Sequence, residues 1–348
     1  VQGDPTSLSD GWVSSLALDP NGDIWVGTRQ GGLNRYNSRT GTFTRYQHNP
    51  EEKNSLSNNN AHVIFIDAQG TLWAGTDAGL DLFNAESGTF EHFQLPGGES
   101  LPVFSVVSGQ DGTLWLGTAK GLLQFNPKQG AIVASPVGKD VGTIRWILSY
   151  PDGTLWLAAS KGLMHFFPTQ GDWQWIKSED GLSYEDVRSV LLEPSGMIWV
   201  GTTYGLNLLD PTTGKFVQYF HQPQNANSIS ADFVHSLFLS QDQILWVGTY
   251  GGGLSLYDPL ANKFEHFSSD PEILNGLSND LVFSVGPGAD GAIWLATYGS
   301  GLDRFDPDSA TFTNFRHDSN DLDSLRSDYL WSVLAARDGS VWVGTIEG

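Results

Sequence analysis

The sequence predicts an all-β fold, a β-propeller of four-stranded antiparallel blades, on three observations. A Trp-bearing segment recurs eight times, at Trp25, Trp73, Trp115, Trp156, Trp199, Trp246, Trp294 and Trp342, at intervals of 48, 42, 41, 43, 47, 48 and 48 residues. Forty-one glycines punctuate the 348-residue chain. No stretch repeats its apolar residues at helical spacing. A period in the forties with one Trp strand per unit is that of propeller blades, and short strands between Gly-containing turns form an all-β array.

Each unit reads the same way. An apolar strand such as Ser15-Leu16-Ala17-Leu18 enters the turn Asp19-Pro20-Asn21-Gly22, where Gly supplies the positive φ of a tight hairpin. The Trp strand follows, ending Trp-x-Gly-Thr in six copies; Trp156 and Trp294 have Ala158 and Ala296 in place of the Gly. A Gly-containing loop leads to a third strand, Gly32-Leu33-Asn34-Arg35-Tyr36, which alternates as a strand with one buried face does. The turn Asn37-Ser38-Arg39-Thr40-Gly41 then gives a fourth strand around Phe43 and Tyr46. The last two strands recur at Leu208-Leu209-Asp210-Pro211 with Phe216, at Leu256-Tyr257-Asp258-Pro259 with Phe264, and at Arg304-Phe305-Asp306-Pro307 with Phe312.

A lone sheet of about forty residues leaves its aromatics in water, whereas stacked sheets cover one another. Burying an aromatic side chain is worth roughly 1.5–3 kcal/mol, so the eight Trp residues are read as packing between neighbouring blades. Closure into a ring removes the bare end faces. Seven units are complete and an eighth stops after Thr345-Ile346-Glu347-Gly348. A ring of seven or eight fits, and the unplaced Trp342 hairpin favours eight positions within one domain, 1–348. The opening Asp4-Pro5-Thr6-Ser7-Leu8-Ser9 matches the linkers Glu52-Lys53-Asn54-Ser55-Leu56-Ser57 and Asn225-Ala226-Asn227-Ser228-Ile229-Ser230. With Val1 in place of Met, the expectation is a window from a longer array.

Composition excludes several functions. Eighteen basic against 39 acidic side chains leave a net charge of −21, which opposes nucleic-acid phosphates and anionic lipid alike. Without cysteine there are no disulfides, zinc–thiolate sites, iron–sulfur clusters or thiol nucleophiles. Oxidising and reducing compartments both remain open on that ground. No apolar run approaches the roughly 18–20 residues of a membrane helix, so no direct membrane insertion is expected. His-Glu-x-x-His, Gly-x-Ser-x-Gly and phosphate-loop motifs are missing from the sequence, and no cofactor is expected. The turn Asp19-Pro20-Asn21-Gly22-Asp23 resembles a calcium loop, but hairpin chemistry explains it.

In a closed propeller the first strand of each blade lines the central channel. Eleven residues before each Trp stand Ser14, His62, Phe104, Arg145, Arg188, His235, Phe283 and Trp331. Two residues further on stand Leu16, Ile64, Val106, Ile147, Val190, Leu237, Val285 and Val333. The second set is uniformly apolar and reads as core. The first mixes cationic, aromatic and small residues, which core packing does not require. Loops leaving the Trp strand add Arg29, Asp77, Lys120, Lys161, Tyr204, Tyr250, Tyr298 and Glu347. Candidate ligand-binding residues are therefore His62, Phe104, Arg145, Arg188, His235, Phe283, Trp331, Lys120, Lys161, Tyr204, Tyr250 and Tyr298. Lys120, Lys161, Arg145 and Arg188 suggest a basic arc, since guanidinium forks bind carboxylate or sulfate and aromatic rings stack on sugar faces. The alternative is that Arg145 and Arg188 pair with acids such as Glu185, Asp186 and Asp140. His62 and His235 lie too many blades apart to share a metal ion.

The phrase Asp111-Gly112-Thr113-Leu114-Trp115-Leu116-Gly117-Thr118 with Gly121-Leu122, and the closing Tyr/Phe-Asp-Pro of the third strand, resemble the two-component regulator propeller repeat. The resemblance covers nearly the whole chain. It implies the periplasmic sensor region of a bacterial membrane receptor, followed elsewhere by a histidine kinase or diguanylate cyclase. It also implies a small-molecule or oligosaccharide ligand, a homodimer formed through the full-length receptor, and no catalytic residues. Two other classes stand beside it: a streptogramin-lyase-like enzyme using His62 or His235 as base, and a protein-interaction scaffold.

Overall fold

The computed structural model describes residues 8–346 apart from 11–12, 38–39, 97–99, 138–140, 241, 260–262, 271, 274, 322 and 337–338. Asp140, Glu347 and most of the opening linker therefore lie outside the described residues. Seven four-stranded sheets are present, each with its strands side by side in chain order; they are the seven blades of a β-propeller. In the first, Val13–Leu18, Ile24–Thr28, Leu33–Asn37 and Thr42–Tyr46 pair antiparallel. Leu330–Ala335 and Val341–Thr345 form a two-stranded sheet after the seventh blade. A complete eighth sheet is absent among the described residues.

The chain divides into two compact units: Val1–Leu157 with Phe166–Trp173 and Glu347–Gly348, and Ala158–His165 with Gln174–Ile346. In both, successive blades are locked by the same pair of rings. Trp25 meets Phe83 edge-on at 4.7 Å, and Trp73 meets Phe125 at 5.6 Å. In the second unit Trp199 meets Tyr257 at 5.3 Å and Trp246 meets Phe305 at 5.4 Å. The partner is the aromatic residue closing the next blade's third strand, which gives the Tyr/Phe-Asp-Pro signature its physical reason. Edge-to-face contact adds about 0.5–1.5 kcal/mol beyond burial. The first six Trp residues are at most 4% exposed. Trp294 and Trp342 are only half-buried. Trp294 packs against the final hairpin and Trp342 stands in it; among the described residues that hairpin has no third or fourth strand of the kind that cover the other indoles.

The Gly of Trp-x-Gly-Thr is required by close approach. A Cβ on Gly75 would lie 2.7 Å from the carbonyl oxygen of Val103 on the next first strand. The Thr after it is buried and fastens the following loop. Thr118 Oγ1 donates to the Gly121 carbonyl at 2.7 Å and accepts the Lys120 N–H at 3.1 Å; Thr202 does the same with Gly205 and Tyr204 at 2.9 and 3.0 Å.

Linkers are built in, not merely draped. Leu56, Leu182, Ile229 and Leu277 are buried. The Ser after each bonds a buried polar group on a third strand: Ser57 to Asp81 at 2.5 Å, Ser183 to Asn207 at 2.8 Å, Ser230 to Ser255 at 2.8 Å and Ser278 to Asp303 at 2.8 Å. Burial raises the Asp303 carboxyl above its ordinary range, against the hydrogen bonds from Ser278 and Asn314. The hairpin turns are hydrogen-bonded as expected. Asp19 Oδ1 accepts the N–H groups of Asn21 and Asp23 at 2.8 and 3.0 Å, and Gly22 has φ of 85°.

Candidate functional site

Seven first strands carry one extra residue at their start, and in six of them it is one of the candidates. Val13 pairs with Thr28 and Ser15 with Gly27, so Ser14 has no partner in the ladder. The same slip isolates His62, Phe104, Arg188, His235, Phe283 and Trp331. A β-bulge leaves its residue outside the ladder and re-aims the side chain, and such bulges concentrate next to functional sites. The variability of this register thus has a cause: its residue is released from pairing, while the apolar set two residues on stays in the core or half-buried.

In the first unit the bulges bring His62 and Phe104 together, with ring centroids 4.6 Å apart. His62 Nε2 lies 2.7 Å from Asp77 Oδ1, and Asp77 Oδ2 accepts from Asn60 Nδ2 at 2.8 Å. Arg145 is half-buried on the next first strand, Ile144–Ser149, and Lys120 is exposed on its loop.

In the second unit the same positions form an aromatic strip. Phe233 stacks on Tyr250 with centroids 5.3 Å apart, and Tyr250 contacts Phe283 at 6.0 Å. Phe283 stacks on Tyr298 at 5.1 Å and meets Trp331 edge-on at 4.8 Å. Tyr298 also meets Tyr329 at 5.0 Å. Backbone bridges Tyr250–Leu281 and Tyr298–Tyr329 hold the loops that carry these rings. Tyr250 and Tyr329 are 48% and 43% exposed, whereas Phe283 is 7% exposed. Phe283, expected to face a ligand, instead supports the strip from below. Tyr204 stands on the preceding blade's loop, exposed, against Tyr184 and Phe220 at 6.4 and 5.6 Å. Lys161 is exposed on the loop of the fourth sheet.

Arg188 closes one end of the strip. Its guanidinium lies over the Phe233 ring at 5.5 Å and pairs with Asp186 at 2.7 Å, as the ion-pair alternative anticipates. His235 lies beneath: its ring is 4.4 Å from that of Phe283, and Nδ1 is 2.9 Å from the Phe283 carbonyl oxygen, which can only accept. Burial, with the nearby Arg188 charge, lowers the His235 pKa despite that carbonyl. The neutral ring therefore donates from Nδ1 and keeps a lone pair on Nε2.

Sequence reasoning missed Asn60, Phe233 and Tyr329, and named Asp186 only as an ion-pair partner of the arginines. All stand thirteen residues before their Trp, two before the bulge. One further step along the strand at period two finds them. No group of three or more His, Cys, Asp or Glu side chains able to hold a metal occurs among the described residues.

The repeated sheets, bulges and Trp–aromatic locks define a propeller of variable-loop, constant-frame type. Residues 7–30 and 55–78 match the family described as Two component regulator propeller. Histidine kinase P4 of Formosa agariphila is 39% identical over 59 residues, 17% of this chain and 4% of that protein. The extracellular domain of the putative hybrid two component system BT3049 from B. thetaiotaomicron aligns over 99% of this chain and 45% of its own, with 24% identity and a TM-score of 0.59. A streptogramin B lyase aligns over 98% and 92%, with 14% identity and a TM-score of 0.55. At these identities the two solved structures share the fold. The chain spans under half the length of the kinase and of the extracellular domain. No helix among the described residues is long and apolar enough to cross a membrane.

Proposed function

We propose that this chain is a periplasmic ligand-sensing input domain of a bacterial two-component-type receptor, and that it binds a small or oligomeric carbohydrate on the aromatic strip of the second unit. The observation that carries the reading is the run Phe233, Tyr250, Phe283, Tyr298, Trp331 and Tyr329, with exposed Tyr250 and Tyr329 around buried Phe283. Ring faces stack on the apolar faces of sugars, and the tyrosine hydroxyls and His235 Nε2 offer hydrogen bonds to sugar hydroxyls. To signal, the ligand must bind one arrangement of the homodimeric receptor more tightly than another, since equal affinity shifts nothing. Calorimetric titration of neutral oligosaccharides tests the reading. Binding that is weakened at least about tenfold by Tyr250→Ala or Tyr298→Ala supports it; binding indifferent to both overturns the site.

A second reading, an enzyme with an imidazole base, is favoured by Asn60 orienting Asp77 and Asp77 orienting His62. A base held in this way is the geometry proton abstraction requires. Turnover of a lactone panel that His62→Ala abolishes would carry it; no turnover removes it.

A further inference from the structure

We infer that the aromatic strip excludes anionic ligands and selects neutral ones, with Asp186 as the residue that sets this selectivity. The inference deepens the carbohydrate reading and rests on it for the ligand class. Arg188 is the cation that touches the strip, and it is already paired: Asp186 Oδ2 lies 2.7 Å from its Nη2. The two sit two residues apart, one before the bulge and one on it, so the backbone slip that aims Arg188 at Phe233 also sets its counter-ion beside it. His235 beneath the strip is held neutral. Three further carboxylates, Asp232, Asp280 and Asp328, immediately precede Phe233, Leu281 and Tyr329. Each accepts a backbone N–H, from His221, Ser269 and His317 at 2.7, 2.6 and 2.7 Å, which holds its carboxylate in place. The one charge of Arg188 is thus matched by Asp186 at the strip, in a chain of net charge −21. An incoming carboxylate or sulfate meets a cation whose charge is already matched by the Asp186 carboxylate. Specificity of this kind comes from the repulsive element, not from an added attraction.

Two probes that differ at one position test it: p-nitrophenyl β-glucoside and p-nitrophenyl β-glucuronide, titrated by calorimetry. The wild-type protein is expected to bind the glucoside about tenfold more tightly, and Asp186→Asn to raise glucuronide affinity by about tenfold with the glucoside changed less than twofold. Adding Arg188→Gln to Asp186→Asn should remove the gain, because the freed guanidinium is its source. Equal binding of both glycosides by wild type and by Asp186→Asn overturns the inference. A second pair, the anionic dye 1-anilinonaphthalene-8-sulfonate and neutral N-phenyl-1-naphthylamine, keeps the test independent of sugars. If neither glycoside binds but Asp186→Asn still raises dye-anion binding, the carbohydrate reading fails and the charge assignment stands. If the anionic dye binds wild type and Asp186→Asn equally, the charge assignment fails.

Discussion

The two units share a frame and differ in what the frame presents. The same bulge carries Ser14, His62 and Phe104 in the first unit and Arg188, His235, Phe283 and Trp331 in the second. In the first the outcome is a polar cluster, His62 with Asp77 and Asn60. In the second it is a strip of contacting rings. The difference shows that blade construction and ligand chemistry are set by separate registers of one strand. The apolar positions two residues after the bulge hold the blades, and the bulge and its loop are free to vary.

The comparison can be broken at its strongest point first. If the frame is common, Trp73→Ala and Trp199→Ala should each cost about 3–5 kcal/mol, as aromatic deletions from a close-packed core do. Denaturant midpoints of the two variants check this, and a large inequality between them would show that the units are not built alike. The next effect is on ligand: Tyr298→Ala should weaken binding of a neutral oligosaccharide by at least about tenfold, while His62→Ala leaves it unchanged. Equal losses would dissolve the distinction between the two faces. The linker bond is smaller. Ser278→Ala should cost about 1–3 kcal/mol, because Asp303 is buried and loses one of its donors.

The smallest effect sharpens the contrast through its sign. His235 in the second unit has a lowered pKa, from burial first. The unfolded state therefore takes up the proton more readily, so its contribution is present above about pH 6.5 and is lost on acidification. His92 in the first unit has a raised pKa, chiefly through its hydrogen bond to Asp81, with the two atoms 3.0 Å apart. Its contribution is present below about pH 6.5 and is lost as pH rises through the folded value. Urea midpoints between pH 5 and 8 should thus lose their acid-side fall in His235→Leu and their alkaline-side fall in His92→Gln.

Much of this was legible in the sequence because packing leaves a periodic trace. The Trp spacing and the Gly-containing turns gave the blade, and the contrast between the Arg188 and Val190 registers separated the bulge position from the core. What stayed hidden was short-range geometry. That Arg188 is released by a slip of one residue depends on its neighbours' backbone pairing to Thr202 and Gly201, for which the alternation pattern carries no mark, although Asp186 was legible as its ion-pair partner. Phe233 and Tyr329 were missed because the register was followed one alternate step too short. The half-buried state of Trp294 and Trp342 was hidden too, since their segments repeat the motif without the covering strands.

The bulge has a use in protein engineering. A residue outside the hydrogen-bonded ladder can be exchanged without shifting the strand behind it, and the buried Thr hydroxyl pins the neighbouring loop whatever its tip carries. Randomising His62, Phe104 and Arg188 would sample many recognition surfaces on one chassis.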